Sequence, residues 1–367
     1  MNHIFDKSGS MSQALANEIC SGVYRENTKL PGERKLCEYF KVSRTTARVV
    51  LNDFEKAGII IRKPRSGAYI ADKAIEIIEQ ELKKPLLRTF FIMPPRQHTN
   101  PLIRTVFSTF LQYANPKIQA SILFQNELTE NIPYLKADDV AVVFGITDKK
   151  QLAILNSKVS KLIILNSRDD KYDYISPDNY TGGKLMAEYL LESGHRKIAC
   201  PKFKQENLDT EFNRRHKGLE ETLEKSGAVL DTFFISPDMA FEPKAFSEAL
   251  KYFLNQCDGI SAIACMSDQM GMNIYAQMNS HEIRIADDLS VVSFDDQYYA
   301  QYTCPPLSTV KYPAESLGIH LANALNVYLK DGATNIREVI EPILVKRQSV
   351  KKLKKGEKEK IFYKGIN

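Results

Sequence analysis

The sequence predicts an α/β protein in which a small helical module with a two-stranded wing precedes two lobes of parallel sheet. Three observations carry this. Residues 30–70, LPGERKLCEYFKVSRTTARVVLNDFEKAGIIIRKPRSGAYI, read as short helices, a capped third helix and two short strands. From residue 87 onward, apolar runs of four to seven residues alternate with helical stretches, the pattern of strands buried on both faces. The alternation restarts at residue 197, so two sheet units stand in series.

Taken in order, residues 11–25 are expected as an amphipathic helix with Leu15, Ile19 and Val23 on one side. Leu36, Tyr39 and Phe40 fall at helical spacing, and Val42 and Ser43 interrupt that helix. Ser43 is a natural N-cap for the next one. Ala47, Val50, Leu51 and Phe54 then form one apolar stripe, with Arg44, Thr45 and Arg48 on another face. Gly58 lies past the helix end, where a left-handed cap belongs. Strands at Ile59–Arg62 and Ala68–Ile70 flank Lys63-Pro64-Arg65-Ser66-Gly67. A helix whose exposed first turn carries Ser, Arg and Thr suits phosphates and base edges.

Residues 72–86 read as a linker with some helical character. Apolar runs follow at 87–93, 118–124, 140–144 and 162–165, with a helix at 101–114 after the first. The second unit has runs at 197–200, 233–235, 262–266 and 289–294. A cleft between two such units is a natural ligand site, because ligands sit at the carboxyl ends of parallel strands. The expected domains are 1–71, a DNA-binding module; 72–86, the linker; 87–350, a two-lobed effector-binding and dimerisation domain; and 351–367, a basic tail.

The 367 residues carry a net charge of only +5, unevenly spread. Residues 1–72 hold 12 Lys and Arg against 8 Asp and Glu, and residues 346–367 hold 9 against 2, so the intervening body is net acidic. A basic head on an acidic body suits DNA binding coupled to a sensor, and the tail KKLKKGEKEK reads as a solvated run. The six cysteines show no CxxC pairing, and several sit in apolar runs, as free thiols of a reducing compartment do. With no secretory signal pattern and no apolar run of about 18 residues, the expected location is the cytoplasm, away from membrane.

The stretch Leu30, Pro31, Glu33, Arg34, Leu36, then Val42, Ser43, Arg44, Thr46 and Arg48, then the wing, resembles the winged helix-turn-helix of the GntR family of bacterial transcription regulators. The resemblance implies contact with operator DNA by Arg34, Ser43, Arg44, Thr45, Thr46, Arg48, Arg65, Ser66 and Gly67. Arg65 and Ala68 stand where the family usually has Gly and Thr.

Residues 87–350 resemble the sugar-sensing core of the LacI/GalR family, itself similar to periplasmic sugar-binding proteins. The words that carry this are PDNYTGGKLMAEYLLESGHRKIA (177–199), RRHKGLEETLEKSG (214–227), MSDQMGMNIYAQM (266–278), LSVVSFDDQYYAQYTCPPLSTVKYP (289–313) and EPILVKRQS (341–349). The resemblance implies an effector held between the lobes by Arg215, Asp295, Asn166, Arg168, Ser267 and Asn100. Arg215 would fork onto two ligand oxygens, since a guanidinium presents five donors in one plane. Asp295 would accept from hydroxyls, while Asp296, second of the pair, more often caps the following segment. Ser267 stands where the family usually has Asn, and His195, in the family's Gly-His-Arg turn, is expected to be structural.

No GxSxG, HExxH, Walker loop or metal-spaced Cys/His cluster is present, so neither enzyme chemistry, cofactor nor metal is expected. The expected function is that of a sugar-responsive transcription regulator, a repressor, binding an inverted-repeat operator as a homodimer and a monosaccharide in its core. Alternatives are a regulator sensing a phosphosugar or nucleobase, or an enzyme carrying a DNA-binding head.

Overall fold

The computed structural model describes residues 9–64, 66–82, 87–94, 100–128, 132–145, 148–203, 210–236, 243–254, 259–280, 283–332 and 335–354. The chain divides into two compact units, Met1–Arg88 with Ala114–Gln119, and Thr89–Tyr113 with Ala120–Asn367.

The first unit holds α1 (Gly9–Cys20), α2 (Glu33–Phe40), α3 (Arg44–Lys56), the wing strands β1 (Ile60–Lys63) and β2 (Gly67–Ile70), and α4 (Ala74–Leu82). Its core joins Met11, Leu15 and Ile19 of α1 to Leu36 of α2, Ala47, Val50, Leu51 and Phe54 of α3, and Ile60 and Ile70 of the wing. Ser43 caps α3, its Oγ accepting from the Thr46 backbone N–H at 3.1 Å, and Gly58 takes φ +78° past the C-terminus. The wing pairs antiparallel, with Ile60 opposite Ile70 and Lys63 opposite Gly67.

Three features differ from the sequence expectation. The first helix stops at Cys20 because Gly22 adopts φ +80°, and Val23 is consequently 62% exposed instead of lying on the buried stripe. Tyr39 is also exposed, its hydroxyl donating to Glu18. The expected linker is largely α4, which buries Ala74 and Ile78 in the core of the first unit.

The second unit holds two six-stranded sheets. The first lobe has the order β13-β7-β6-β5-β3-β4, from β3 (Leu87–Met93), β4 (Ile118–Phe124), β5 (Val140–Phe144), β6 (Lys161–Leu165), β7 (Asp173–Pro177) and β13 (Arg337–Ile340). The second has the order β14-β12-β11-β10-β8-β9, from β8 (Lys197–Phe203), β9 (Val229–Ile235), β10 (Ala262–Ala264), β11 (Ser290–Asp295), β12 (Ser308–Lys311) and β14 (Ile343–Val345). Adjacent strands from β13 through β3, and from β12 through β9, run parallel; β14 is antiparallel to β12. The fully buried VAVVF of β5 shows why these strands read as continuous apolar runs.

Helices α5 (Pro101–Tyr113), α6 (Lys149–Lys158), α7 (Asn179–Glu192), α8 (Glu211–Lys225), α9 (Pro243–Leu254), α10 (Asp268–Ser280) and α11 (Ala314–Asp331) complete the unit. The chain passes between the lobes after β7, after β12 and between β13 and β14, and α11 returns to pack on α5 of the first lobe. Residues 351–354, expected as the start of a solvated tail, instead lie against the second lobe. Buried His195 faces Ser261 Oγ at 2.9 Å and the Lys351 carbonyl at 3.1 Å, and Leu353 N–H donates to the Ser193 carbonyl. Residues 355–367 fall outside the described residues.

Candidate functional site

Two surfaces take up the residues singled out in the sequence. On the first unit, α3 presents Arg44, Thr45 and Arg48 to solvent while its opposite face is buried. Ser43 and Thr46 are engaged with each other, their hydroxyls 2.8 Å apart, so their first role is to start the helix. Arg48 Nε lies 2.9 Å from Glu33 of α2, and Arg34 Nε 3.0 Å from Glu38, in largely exposed ion pairs. In the wing, Ser66 Oγ shares a hydrogen with the Tyr69 hydroxyl at 2.7 Å, and Gly67 takes φ +101°. Arg65 lies outside the described residues. Sequence reasoning did not select Lys29 or Arg62, although both line a hollow of about 490 Å³ between α2 and the wing, together with Lys63. Their signal was only charge.

In the second unit, Arg215 is 3% exposed and is the most constrained of the six expected anchors. Its Nε donates to Asn179 Oδ1 at 2.9 Å, its Nη1 donates to the Met266 carbonyl at 2.6 Å, and Nη1 lies 3.5 Å from Asp295 Oδ1. The guanidinium lies over the Phe294 ring, 3.6 Å from its centroid. This placement depends on a close helix crossing. A methyl group on Gly183 of α7 would collide with the Arg215 carbonyl oxygen, and one on Gly218 of α8 with that of Tyr180. Only glycine at both positions lets α8 approach α7 closely enough to set Arg215 beside Asn179.

Asp295 ends β11 at φ +120° and Asn166 follows β6 at φ +75°, so strand-end residues in both sheets take backbone conformations uncommon for side chains larger than glycine. Burial pushes the Asp295 carboxyl up to about 7, against the pull of Arg215 and with Asp268 adding repulsion. Asp268, fully buried at the start of α10, accepts from Ser293 Oγ, Thr309 Oγ1 at 2.7 Å and the Gln297 backbone N–H at 2.7 Å. Burial still lifts it to about 6. Asp296 turns away to Arg347, 2.7 Å distant.

Arg168 lies 3.5 Å from Asp178, and its Nε is buried without a partner. Ser267 accepts from Met270 N–H, capping α10, and Asn100 accepts from Leu102 N–H at the start of α5. Arg215 and Asp295 are thus brought together, whereas Ser267 and Asn100 also hold helix ends. A cavity of about 360 Å³ lies beside Asp295, lined by Pro101, Leu102 and Thr105 of one lobe and Gln297, Tyr298 and Lys311 of the other. Of the six expected anchors, Asp295 is the one on its wall, among the described residues. The residues that sequence reasoning missed are Asn179, Asp268, Phe294 and Gln297. All four lay inside the motif words, but their polarity or apolarity alone gave no sign of which would meet Arg215.

Among the described residues, no cluster of three His, Cys, Asp or Glu side chains could hold a metal, and no helix is long and apolar enough to cross a membrane.

Comparison with known proteins agrees with this architecture. The family model described as bacterial regulatory proteins, gntR family, matches residues 8–70, and that of a periplasmic binding protein-like domain matches residues 187–350. A curated relative, the HTH-type transcriptional repressor PurR of Erwinia tasmaniensis, is 33% identical over 191 residues, covering 50% of this chain and 53% of the relative. The chain thus spans about half the length of that relative and of others like it. The PurR of Photobacterium profundum is 27% identical over 326 residues, covering 85% of this chain and 96% of the relative. These relatives are named repressors, not enzymes. A LacI family transcriptional regulator from Enterococcus faecium with bound ribose superposes at TM-score 0.61 and 18% identity, covering 72% of this chain and all of that one. A periplasmic binding protein/LacI transcriptional regulator from Alkaliphilus metalliredigens, complexed with D-xylulofuranose, gives 0.59 and 18%, covering 71% and 98%. The chain thus joins a winged helix-turn-helix that matches the gntR family model to a core with the periplasmic-binding-protein-like fold.

Proposed function

We propose that the chain is a cytoplasmic, sugar-responsive transcriptional repressor, which binds an inverted-repeat operator as a homodimer and changes its DNA affinity when a monosaccharide enters the core. The observation that carries the effector half is the buried Arg215 guanidinium 3.5 Å from the Asp295 carboxylate at the end of β11. Such a pair offers donors and acceptors side by side, as a ligand with adjacent hydroxyls requires. The DNA half rests on Arg44, Thr45 and Arg48 standing exposed at the start of α3, and on the match of residues 8–70 to the gntR model. For a sugar to alter DNA binding it must bind two states of the protein unequally.

A nucleobase effector is the second reading, favoured by the relatives that bear the name PurR. Capture of fragmented genomic DNA by the purified protein, with and without each candidate effector, tests the whole proposal. An enriched inverted repeat whose capture changes with a free sugar is the expected result. Arg44→Ala should abolish capture while sugar binding persists, and Arg215→Lys should weaken sugar binding while capture persists. Random fragments in every condition would refute the DNA half, and an effect of guanine alone would select the second reading.

A further inference from the structure

Gln297 follows the Asp295–Asp296 pair and is 8% exposed, an unusual burial for a carboxamide. Its backbone is fixed by Asp268, and its side-chain Nε2 donates at 3.4 Å to Oδ1 of Asn100, which belongs to the loop between β3 and α5 on the other lobe. The orientation of this amide follows from chemistry. Asn100 Oδ1 already accepts from the Leu102 backbone N–H at 3.0 Å, so it is an oxygen, and only the Gln297 nitrogen can face it productively. The Gln297 Oε1 is therefore turned elsewhere, and it is buried with no hydrogen-bond partner. A buried acceptor left unsatisfied is costly. Gln297 also lines the cavity of about 360 Å³ between Pro101, Leu102 and Thr105 on one side and Lys311 and Tyr312 on the other, a volume within the usual span of small-molecule sites.

Acceptors are found off the cavity wall as well. Asn166 Oδ1 is a second buried acceptor without a partner. The carboxyls of Asp295 and Glu211 both face the charge of Arg215. On the donor side, Arg215 gives its Nε and Nη1 to Asn179, the Met266 carbonyl and Asp295, and Arg168 is held by Asp178 and the Pro177 carbonyl; neither arginine lines the cavity. On the wall of the cavity itself the carboxyls of Asp295, Asp296, Glu315 and Glu341 stand against one ammonium, Lys311, so among the described residues the wall favours a molecule that supplies hydrogens. Hydroxyl, amine and ring N–H groups do so; a phosphate ester brings acceptors and negative charge.

We propose that Gln297 is a further effector anchor that also ties the two lobes together, and that the site takes a hydrogen-donating, unphosphorylated ligand. This rests on the core being an effector domain, as proposed above. A ligand hydrogen given to Oε1 would satisfy the orphaned oxygen while Nε2 keeps Asn100, so one side chain would read the ligand and hold the far lobe at once.

The test is titration calorimetry and thermal unfolding of the full chain with D-ribose, D-glucose, D-glucosamine, ribose 5-phosphate, glucose 6-phosphate and guanine, for wild type and Gln297→Met. Methionine keeps the length and bulk of glutamine and removes both hydrogen-bonding atoms. The expected result is that an unphosphorylated probe binds, its phosphate ester binds at least about tenfold more weakly, and Gln297→Met loses about tenfold in affinity. A monodeoxy analogue of the bound sugar, lacking the hydroxyl that Gln297 reads, should lose nothing more on the substitution; a residue acting only through packing would weaken every probe alike. Equal or tighter binding of a phosphate ester overturns the proposal, as does a Gln297→Met affinity within about twofold of wild type. Binding of guanine alone removes the sugar reading but leaves this one to be judged by Gln297→Met with guanine. No response to any probe overturns both.

Discussion

Arg48 in the first unit and Arg215 in the second each hold a carboxylate, but they do so in opposite surroundings. Arg48 meets Glu33 at 2.9 Å with 64% and 39% of the two side chains exposed, whereas Arg215 meets Asp295 at 3.5 Å with 3% and 16% exposed. Exposed pairs are worth about 0–1 kcal/mol and are readily exchanged for another anion. Removing one partner of a buried pair strands the other and costs about 3–5 kcal/mol. The shorter contact is thus the weaker one. Exposed Arg48 can leave its partner for another anion at little cost, while buried Arg215 holds α7, α8 and β11 together.

The largest expected effect is therefore in the cleft. Arg215→Ala should destabilise the second unit by about 3–5 kcal/mol, because Asp295, Asn179 Oδ1 and the Met266 carbonyl all lose a donor. Urea unfolding would measure it, and a loss below about 1 kcal/mol would erase the contrast with Arg48. The same carboxyl gives a pH signature. The folded-state value of Asp295 is raised to about 7 from the ordinary 3.8, so the folded protein holds this proton where the unfolded chain has released it. Its contribution to stability must fall as pH rises from about 4 to about 7 and level off above. Asp295→Asn removes that decline, so its stability relative to wild type should rise across this window. Buried His195, lowered to about 4 from 6.5, acts in the opposite direction between those values, which is why the variant difference is the quantity to measure.

Gly183→Ala tests how Arg215 is positioned. The added methyl meets the Arg215 carbonyl oxygen, so α7 and α8 must separate, at an expected cost of about 1–3 kcal/mol and with weaker effector binding. Ser43→Ala removes the cap of α3 and should cost about 1 kcal/mol by chemical unfolding of the first unit, with looser DNA binding. Smallest of all, Arg48→Ala should change stability by less than about 1 kcal/mol. Fluorescence anisotropy with a DNA duplex should nonetheless show weaker binding and a shallower salt dependence, and an unchanged salt slope would remove Arg48 from the interface.

The two units also differ in how much of them could be read in advance. In the first, the capping serine, the stripe of Ala47, Val50, Leu51 and Phe54 and the exposed arginines all lie within one helix, so their spacing alone places them. What escaped was short-range termination at Gly22 and the burial of Ala74 and Ile78, two small apolar stretches in a charged segment. In the second unit the buried strands were legible, but β7, β12, β13 and β14 were not, because each is only three to five residues long and none is buried throughout. Arg215 and Asp295 were visible through their motifs. Gln297 and Asn179 were not, since a polar residue acquires its role here from partners far along the chain, and periodicity carries no information about those.

The order in which the strands are used bears on how the protein is made. The edge of the first sheet is β13 at 337–340 and the edge of the second is β14 at 343–345, separated by only Glu341 and Pro342. The helix that covers α5 of the first lobe, α11, is likewise supplied from residues 314–331. During synthesis, neither lobe can close its sheet until residues 337–345 have left the ribosome, whereas every element of the winged module lies before residue 83. The growing chain would then carry a finished winged module ahead of two unfinished lobes, and residues 314–345 complete both lobes almost together.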